Sequence, residues 1–174
     1  MVKHNNTVNY NLHEFFGESA IREQLYELFV EFSLRSLPLP SKEITFSGRF
    51  IELKKQFDIL IENTTILYVE VDKKIFCFGS FSSDFSALNF PDSKQHLADP
   101  QKSREFTFSA SRANQLFLAQ KSAHDMFKYM KEKYGVQHII AHIVREKKRN
   151  KFFSAVKRIF KFNIINDFVH YEIP

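Results

Sequence analysis

The chain has 174 residues, 44% of them hydrophobic and 26% charged, with 25 Lys and Arg against 20 Asp and Glu and a net charge of +5. That composition excludes a disordered chain, and the length fits one domain over 1–174 that can bury a core unaided. Four isolated glycines and one cysteine, Cys77, exclude a Walker loop, a Gly-x-Ser-x-Gly elbow, a disulfide framework and a cysteine metal centre.

Residues 7–12 alternate, with Val8, Tyr10 and Leu12 on one side, and predict a strand. From Glu18 to Arg35, the residues Ile21, Leu25, Leu28, Phe29 and Phe32 recur at helical spacing, and Pro38 and Pro40 stop the helix. A second helix is expected from about Ser47 to Glu62 on Phe50, Leu53, Phe57, Leu60 and Ile61. Thr64–Val71 and Ile75–Phe81 read as strands joined by a hairpin turn at Asp72, Lys73 and Lys74. Residues 82–103 form the longest irregular stretch, of a length that is usually functional or disordered. Alternating Phe106 and Phe108 predict the next strand. Asn114–Tyr134 reads as a helix with Gly135 at its C′ position. Ser122, with Asp125 three positions on, is an alternative N-cap that would leave 115–120 as loop. Gln137–Val144 predicts a buried strand and Asn150–Phe160 a helix. Phe162–Ile165 and Phe168–Ile173 close the chain as two short strands.

A strand–helix–strand unit after a hairpin implies an α/β fold, a twisted mixed sheet with helices on both faces. The terminal strands offer an edge that can pair in a homodimer. No apolar run is long enough to span a membrane, and the N-terminus lacks the apolar core of a signal peptide. A cytoplasmic protein without membrane contact is therefore expected.

Asn150 opens the stretch NKFFSAVKRIFKF, and Phe162 follows it by twelve positions. Counting back from Gly135, the stretch Gln115-Leu116-Phe117-Leu118-Ala119-Gln120 stands at the head of the long helix. On these features and on element order, essentially the whole chain resembles the GNAT (acyl-CoA N-acyltransferase) superfamily. That superfamily's cofactor motif reads Gln/Arg-x-x-Gly-x-Gly/Ala. The resemblance implies a GNAT-like fold and transfer of an acetyl group from acetyl-CoA to an amine on a small molecule or protein. It implies that main-chain N–H groups over Gln115–Lys121, including those of Leu118, Ala119 and Gln120, hold the pyrophosphate. It implies that the splayed strand from Glu105 to Ser111, with Phe108 and Ala110, bonds the pantetheine, and that Asn150 contacts the cofactor. The resemblance also implies that Glu105 acts as base toward the acceptor amine; an ordinary strand-end glutamate is the alternative.

The chain also departs from the pattern. Leu118 and Gln120 stand where glycines are expected, Lys161 replaces the glycine of a Gly-Phe pair, and Ala155-Val156-Lys157 lacks the tyrosine that serves as general acid. These departures define a second reading, a degenerate GNAT scaffold that binds an anionic partner. Positive charge gathers on Lys147, Lys148, Arg149 and Lys151 and continues through Lys157, Arg158 and Lys161. Such a run suits a nucleic-acid backbone, the CoA 3′-phosphate of the resemblance, or simply solvent. Lys121 reads either as a phosphate ligand or as a solvated helix lysine.

His138 and His142 fall on one face of a strand, but no His-Glu-x-x-His pattern exists and no metal site is expected. His142 reads as a core histidine bonded to backbone. Cys77, between Phe76 and Phe78, reads as a buried, inert thiol.

Overall fold

A computed structural model describes residues 9–36, 46–86, 88–112, 116–142, 160–165 and 168–174. In chain order the elements are β1 (Tyr10–Glu14), α1 (Ser19–Ser36), α2 (Phe46–Asn63), β2 (Thr65–Val71), β3 (Lys74–Ser82), a 3₁₀ helix (Asp92–Ala98), β4 (Ser103–Ser111), α3 (Leu116–Tyr134), β5 (His138–His142), β6 (Asn163–Ile165) and β7 (Phe168–Glu172). The expected first-strand residues Thr7 and Val8 and the expected helix over 150–159 lie outside the described residues.

The strands form one mixed sheet in the order β1-β2-β3-β4-β5-β7-β6. Every neighbouring pair is antiparallel except β4 and β5, which run parallel. Strand periodicity divides the core between two faces. On β2, Ile66 and Tyr68 pack with Leu25, Leu28 and Phe29 of α1 and Leu53 and Phe57 of α2. Leu67 and Val69 point the other way and pack with Met126, Phe127 and Met130 of α3. The buried positions recur at helical spacing on each helix, which is why these segments are helices and why each lies flat on the sheet. Helices therefore cover both faces, as the element order predicts.

The local signals work as chemistry requires. Asp72 and Lys73 both take left-handed φ, 50° and 65°, to close the β2–β3 hairpin with two residues. Gly135 has φ 69° and donates its N–H to the carbonyl of Lys131 at 3.0 Å, ending α3. The alternative cap at Ser122 is corrected: Ser122 is buried inside α3, and its hydroxyl donates to the carbonyl of Leu118 at 2.7 Å. Residues 116–120 are thus the first turns of the helix.

The irregular stretch 83–102 is not featureless. It contains the 3₁₀ helix, and its Phe85, Phe90 and Leu97 form a third core cluster with Ile140 of β5 and Phe168 of β7. Phe90 meets Phe168 edge-on at 4.8 Å between ring centroids. At the far side of the sheet β6 is an outer strand with Ile164 exposed.

Candidate active site

Two irregularities shape the middle of the sheet. In the β3–β4 ladder, Ser80 pairs with Phe108 and Phe81 with Phe106, so Thr107 is an extra residue and β4 bulges there. The Thr107 and Ser80 hydroxyl oxygens lie 2.7 Å apart across the bulge, and Ser80 is fully buried. The parallel β4–β5 ladder has only three pairs and stops at Glu105–Ile140. β4 continues to Ser111 beyond that point, and β5 continues to His142. Among the described residues, 106–111 have no strand partner on the β5 side. Past Glu105 the ladder between β4 and β5 is open among the described residues, and this gap in the ladder, bordered by β4 main chain, is the candidate cleft.

Helix α3 begins five residues after β4 ends, at Leu116. The first four N–H groups of any helix lack partners within it, so this terminus presents donors suited to an anion. Leu118 and Ala119 of this first turn pack against the α3-side core, and Gln120 is half-buried. Leu118 thus directs its side chain to the core. Lys121 is engaged elsewhere. Its ammonium lies 2.6 Å from the Asp125 carboxylate and 3.8 Å from the centre of the Tyr10 ring. Tyr10 also donates its hydroxyl to Asp125 at 2.7 Å.

Glu105 sits at the last pair of the β4–β5 ladder, opposite Ile140 on one side and Ser82 on the other. It is half-buried. Burial pushes its carboxyl above the ordinary value; the charge of His142 works against that rise, and Asp84 adds to it. His142 lies on the same face of β5 as Ile140, two residues on, and is exposed. The expectation of a core histidine at 142 is therefore corrected, because β5 reaches solvent where it leaves β4. Asp84 holds its own carboxylate low by accepting the N–H of Ser86 at 2.9 Å.

Phe108 and Ala110 face α1 rather than the cleft. Phe108 packs against Phe29, Phe32 and Phe78 at 5.0–5.7 Å, and Ala110 is buried. Their contribution to the cleft is main chain. Cys77 is buried, and desolvation pushes its thiol up to about 11, as expected of an inert cysteine. Among the described residues no group of three His, Cys, Asp or Glu side chains is placed to hold a metal ion. No described helix is long and apolar enough to cross a membrane. Gln115, Asn150 and the basic residues Lys147, Lys148, Arg149, Lys151 and Arg158 lie outside the described residues.

The grouping of Glu105 with His142 and Asp84 was not foreseen. The usable signal was the strand register, since two residues on one face of adjacent strands are neighbours when the ladder aligns them. The bulge at Thr107 carries no glycine or proline to mark it.

No protein-family model and no curated protein sequence matches the chain. Solved structures do. A Desulfovibrio desulfuricans protein assigned to the GNAT family of acetyltransferases superposes with a TM-score of 0.63 at 9% identity, covering 95% of this chain and 100% of that one. The Campylobacter jejuni N-acetyltransferase PseH, in complex with acetyl coenzyme A, gives 0.56 at 18% identity over 94% and 96% of the two chains. The aminoglycoside 6′-N-acetyltransferase from Enterococcus faecium gives 0.61 at 7% identity over 94% and 97%. The chain has the GNAT acetyltransferase fold.

Proposed function

We propose that the protein transfers an acetyl group from acetyl-CoA to an amine. One observation carries this reading: β4 bulges at Thr107 and parts from β5 directly after Glu105, with the α3 N-terminus close behind in the chain. The cleft offers main-chain donors along 106–111, and the first turn of α3 offers N–H groups for a pyrophosphate. Of the three solved structures described above, two are named as N-acetyltransferases, and one of these is in complex with acetyl coenzyme A. The replacement of glycines at 118 and 120 leaves main-chain donors intact, and the Leu118 side chain packs into the core.

When bound, acetyl-CoA supplies a thioester carbon open to direct attack by a neutral amine. The protein's share is to position the two partners and to manage the protons: as the amide C–N bond forms and the C–S bond breaks, CoA would depart as thiolate and take up the nitrogen's second proton to become free thiol, while the first proton must be removed beforehand. Glu105 accepts that proton from the acceptor ammonium, and its raised carboxyl makes it a better base than an exposed glutamate. Main-chain N–H groups of β4 polarise the carbonyl as negative charge develops on its oxygen. Gln115, Asn150 and Gln120 complete the cofactor contacts in this reading. The basic residues Lys147–Lys151 and Arg158 suit the nucleotide end of the cofactor.

A ligand that binds only the folded chain raises its melting temperature, by about 2.7 kcal/mol of stability at a hundredfold excess over Kd. Acetyl-CoA at millimolar concentration is expected to give such a shift, and free thiol is expected to appear on addition of primary amines. No shift and no thiol release would overturn the reading. A salt-sensitive mobility shift with DNA or RNA in that case would favour the degenerate scaffold with a basic face.

A further inference from the structure

Three histidines distant in sequence meet on the sheet face that carries the loop 83–102. His138 on β5 and His170 on β7 are diagonal neighbours, since His170 pairs with Ile140. The Nε2 of His170 lies 3.1 Å from the Nδ1 of His138, and the ring centroids are 5.1 Å apart. His96, at the end of the 3₁₀ helix, meets the His138 ring edge-on at 6.4 Å. His170 is 8% exposed.

A hydrogen bond between two imidazole nitrogens needs one N–H and one lone pair. When both rings are protonated there is no lone pair left, and two cations face each other at contact distance. The surroundings give such a pair little support. Lys94 and His96 approach from the 3₁₀ helix, Lys102 from the turn before β4, and only Glu172 of β7 offers a negative charge. From β4, Ser103 pairs with His138 and is fully buried, its hydroxyl without a hydrogen-bond partner among the described residues. Burial holds both rings below the ordinary histidine value, and for His170 the facing His138 ring comes next; Glu172 works against the lowering at both, and Lys94, His96 and Lys102 add smaller contributions to it.

The loop rests on this same layer. Phe85, Phe90 and Leu97 pack on Ile140 and Phe168, which alternate with His138 and His170 on the one face. Ile140 is the register partner of Glu105. We infer that the His138–His170 pair is an acid-operated latch for the loop 83–102: neutral, the pair seats the loop, and its protonation releases the loop and uncovers the Ile140 side of the cleft. The inference stands on the packing and does not require acetyl transfer.

Hydrogen exchange of the intact protein, read by mass spectrometry and corrected for intrinsic rates, tests it. Peptides over 83–102 are expected to lose protection about tenfold as pH falls from about 7.5 through and below the ordinary histidine range, while peptides of α1 and β2 keep theirs. In the same range, nuclear magnetic resonance is expected to show both imidazoles titrating below the ordinary value. His170→Gln keeps a polar partner for His138 but removes one titrating ring, and is expected to flatten the loop's pH dependence. His124→Gln, an exposed control, is expected to leave it unchanged. Loop protection that stays constant while the wild-type rings titrate would overturn the latch. So would an unaltered loop response in a folded His170→Gln.

Discussion

Gly79 of β3 lies against the ring of Phe106: a Cβ on Gly79 would stand 2.5 Å from Cε2 of Phe106 and 3.1 Å from Sδ of Met126. Phe106 is the residue just before the Thr107 bulge, and its ring also meets Phe81 at 5.1 Å and Phe127 at 5.5 Å. The bare backbone at 79 is what lets an aromatic lie flat under α3 where β4 bends.

Gly79→Ala therefore forces the Phe106 ring to move within a packed cluster. The expected cost is about 1–3 kcal/mol, seen as a lower midpoint in urea unfolding. Phe106→Leu removes the offending ring edge, so the double variant is expected to lose less than the sum of the two single losses. Strict additivity would show that Gly79 and Phe106 do not constrain one another.

The β2–β3 turn can be improved. Asp72 and Lys73 both hold left-handed φ, which suits Asn or Asp followed by Gly and strains a lysine. Asp72 should be kept, because its carboxylate accepts the N–H of Asn9 at 3.2 Å and its own N–H donates to the carbonyl of Asn9 at 3.0 Å. Lys73→Gly is expected to stabilise the protein by about 0.5–1 kcal/mol, read as a raised melting temperature.

That turn also marks how far the sequence could be read. Local chemistry was legible: the buried helical positions Leu25, Leu28 and Phe29, the Gly135 terminus and the alternation of β2 each follow from spacing over a few residues. The GNAT-like arrangement followed from their order. Long-range pairings were not legible. His138 and His170 are 32 residues apart, and nothing in either segment announces the other. The bulge at Thr107 is imposed by packing of Phe106 and Phe108 on opposite faces, a condition invisible in single-strand periodicity. Ser122 satisfies a capping pattern but is buried, so the core decided the helix start.

Glu14 ties β1 to the end of α3. Its carboxylate accepts from Tyr129 at 3.0 Å, from Lys133 at 2.7 Å and from Tyr134, and its side chain is only 7% exposed. Burial pushes the carboxyl up, but the bonds from Lys133, Tyr134 and Tyr129 and the Lys133 charge outweigh it and hold it below the ordinary value. A lowered folded value means that this stabilisation is full above the ordinary glutamate range and fades as pH falls below it. Glu14→Gln is expected to cost about 1–3 kcal/mol near neutrality, Lys133 being partly solvated, and less in acid. Urea midpoints measured across the acid range should show the two proteins converging; a constant gap would show that the charge on Glu14 is immaterial.

Glu105 has the opposite linkage. Burial raises its folded carboxyl above the ordinary 4.5, so the folded state binds the proton more tightly than the unfolded chain. Its contribution to stability is full below the unfolded value and is lost as pH rises through the folded one. At about pH 7.5 the wild-type carboxylate is thus a burden on the fold, and Glu105→Gln is expected to melt no lower than wild type. Activity should move the other way. If Glu105 takes the proton of the acceptor ammonium, Glu105→Gln is expected to lower kcat/KM for an amine by about 10²–10⁴ and to remove the acid limb of its pH profile. The acetyl-CoA-induced rise in melting temperature should survive, because the proposed reading holds the cofactor by main chain of β4 and α3 and by Gln115, Gln120 and Asn150, not by the Glu105 side chain. A variant that melts as wild type and still acetylates at the wild-type rate would remove Glu105 as the base. A variant that loses the acetyl-CoA shift would place the residue in cofactor binding instead.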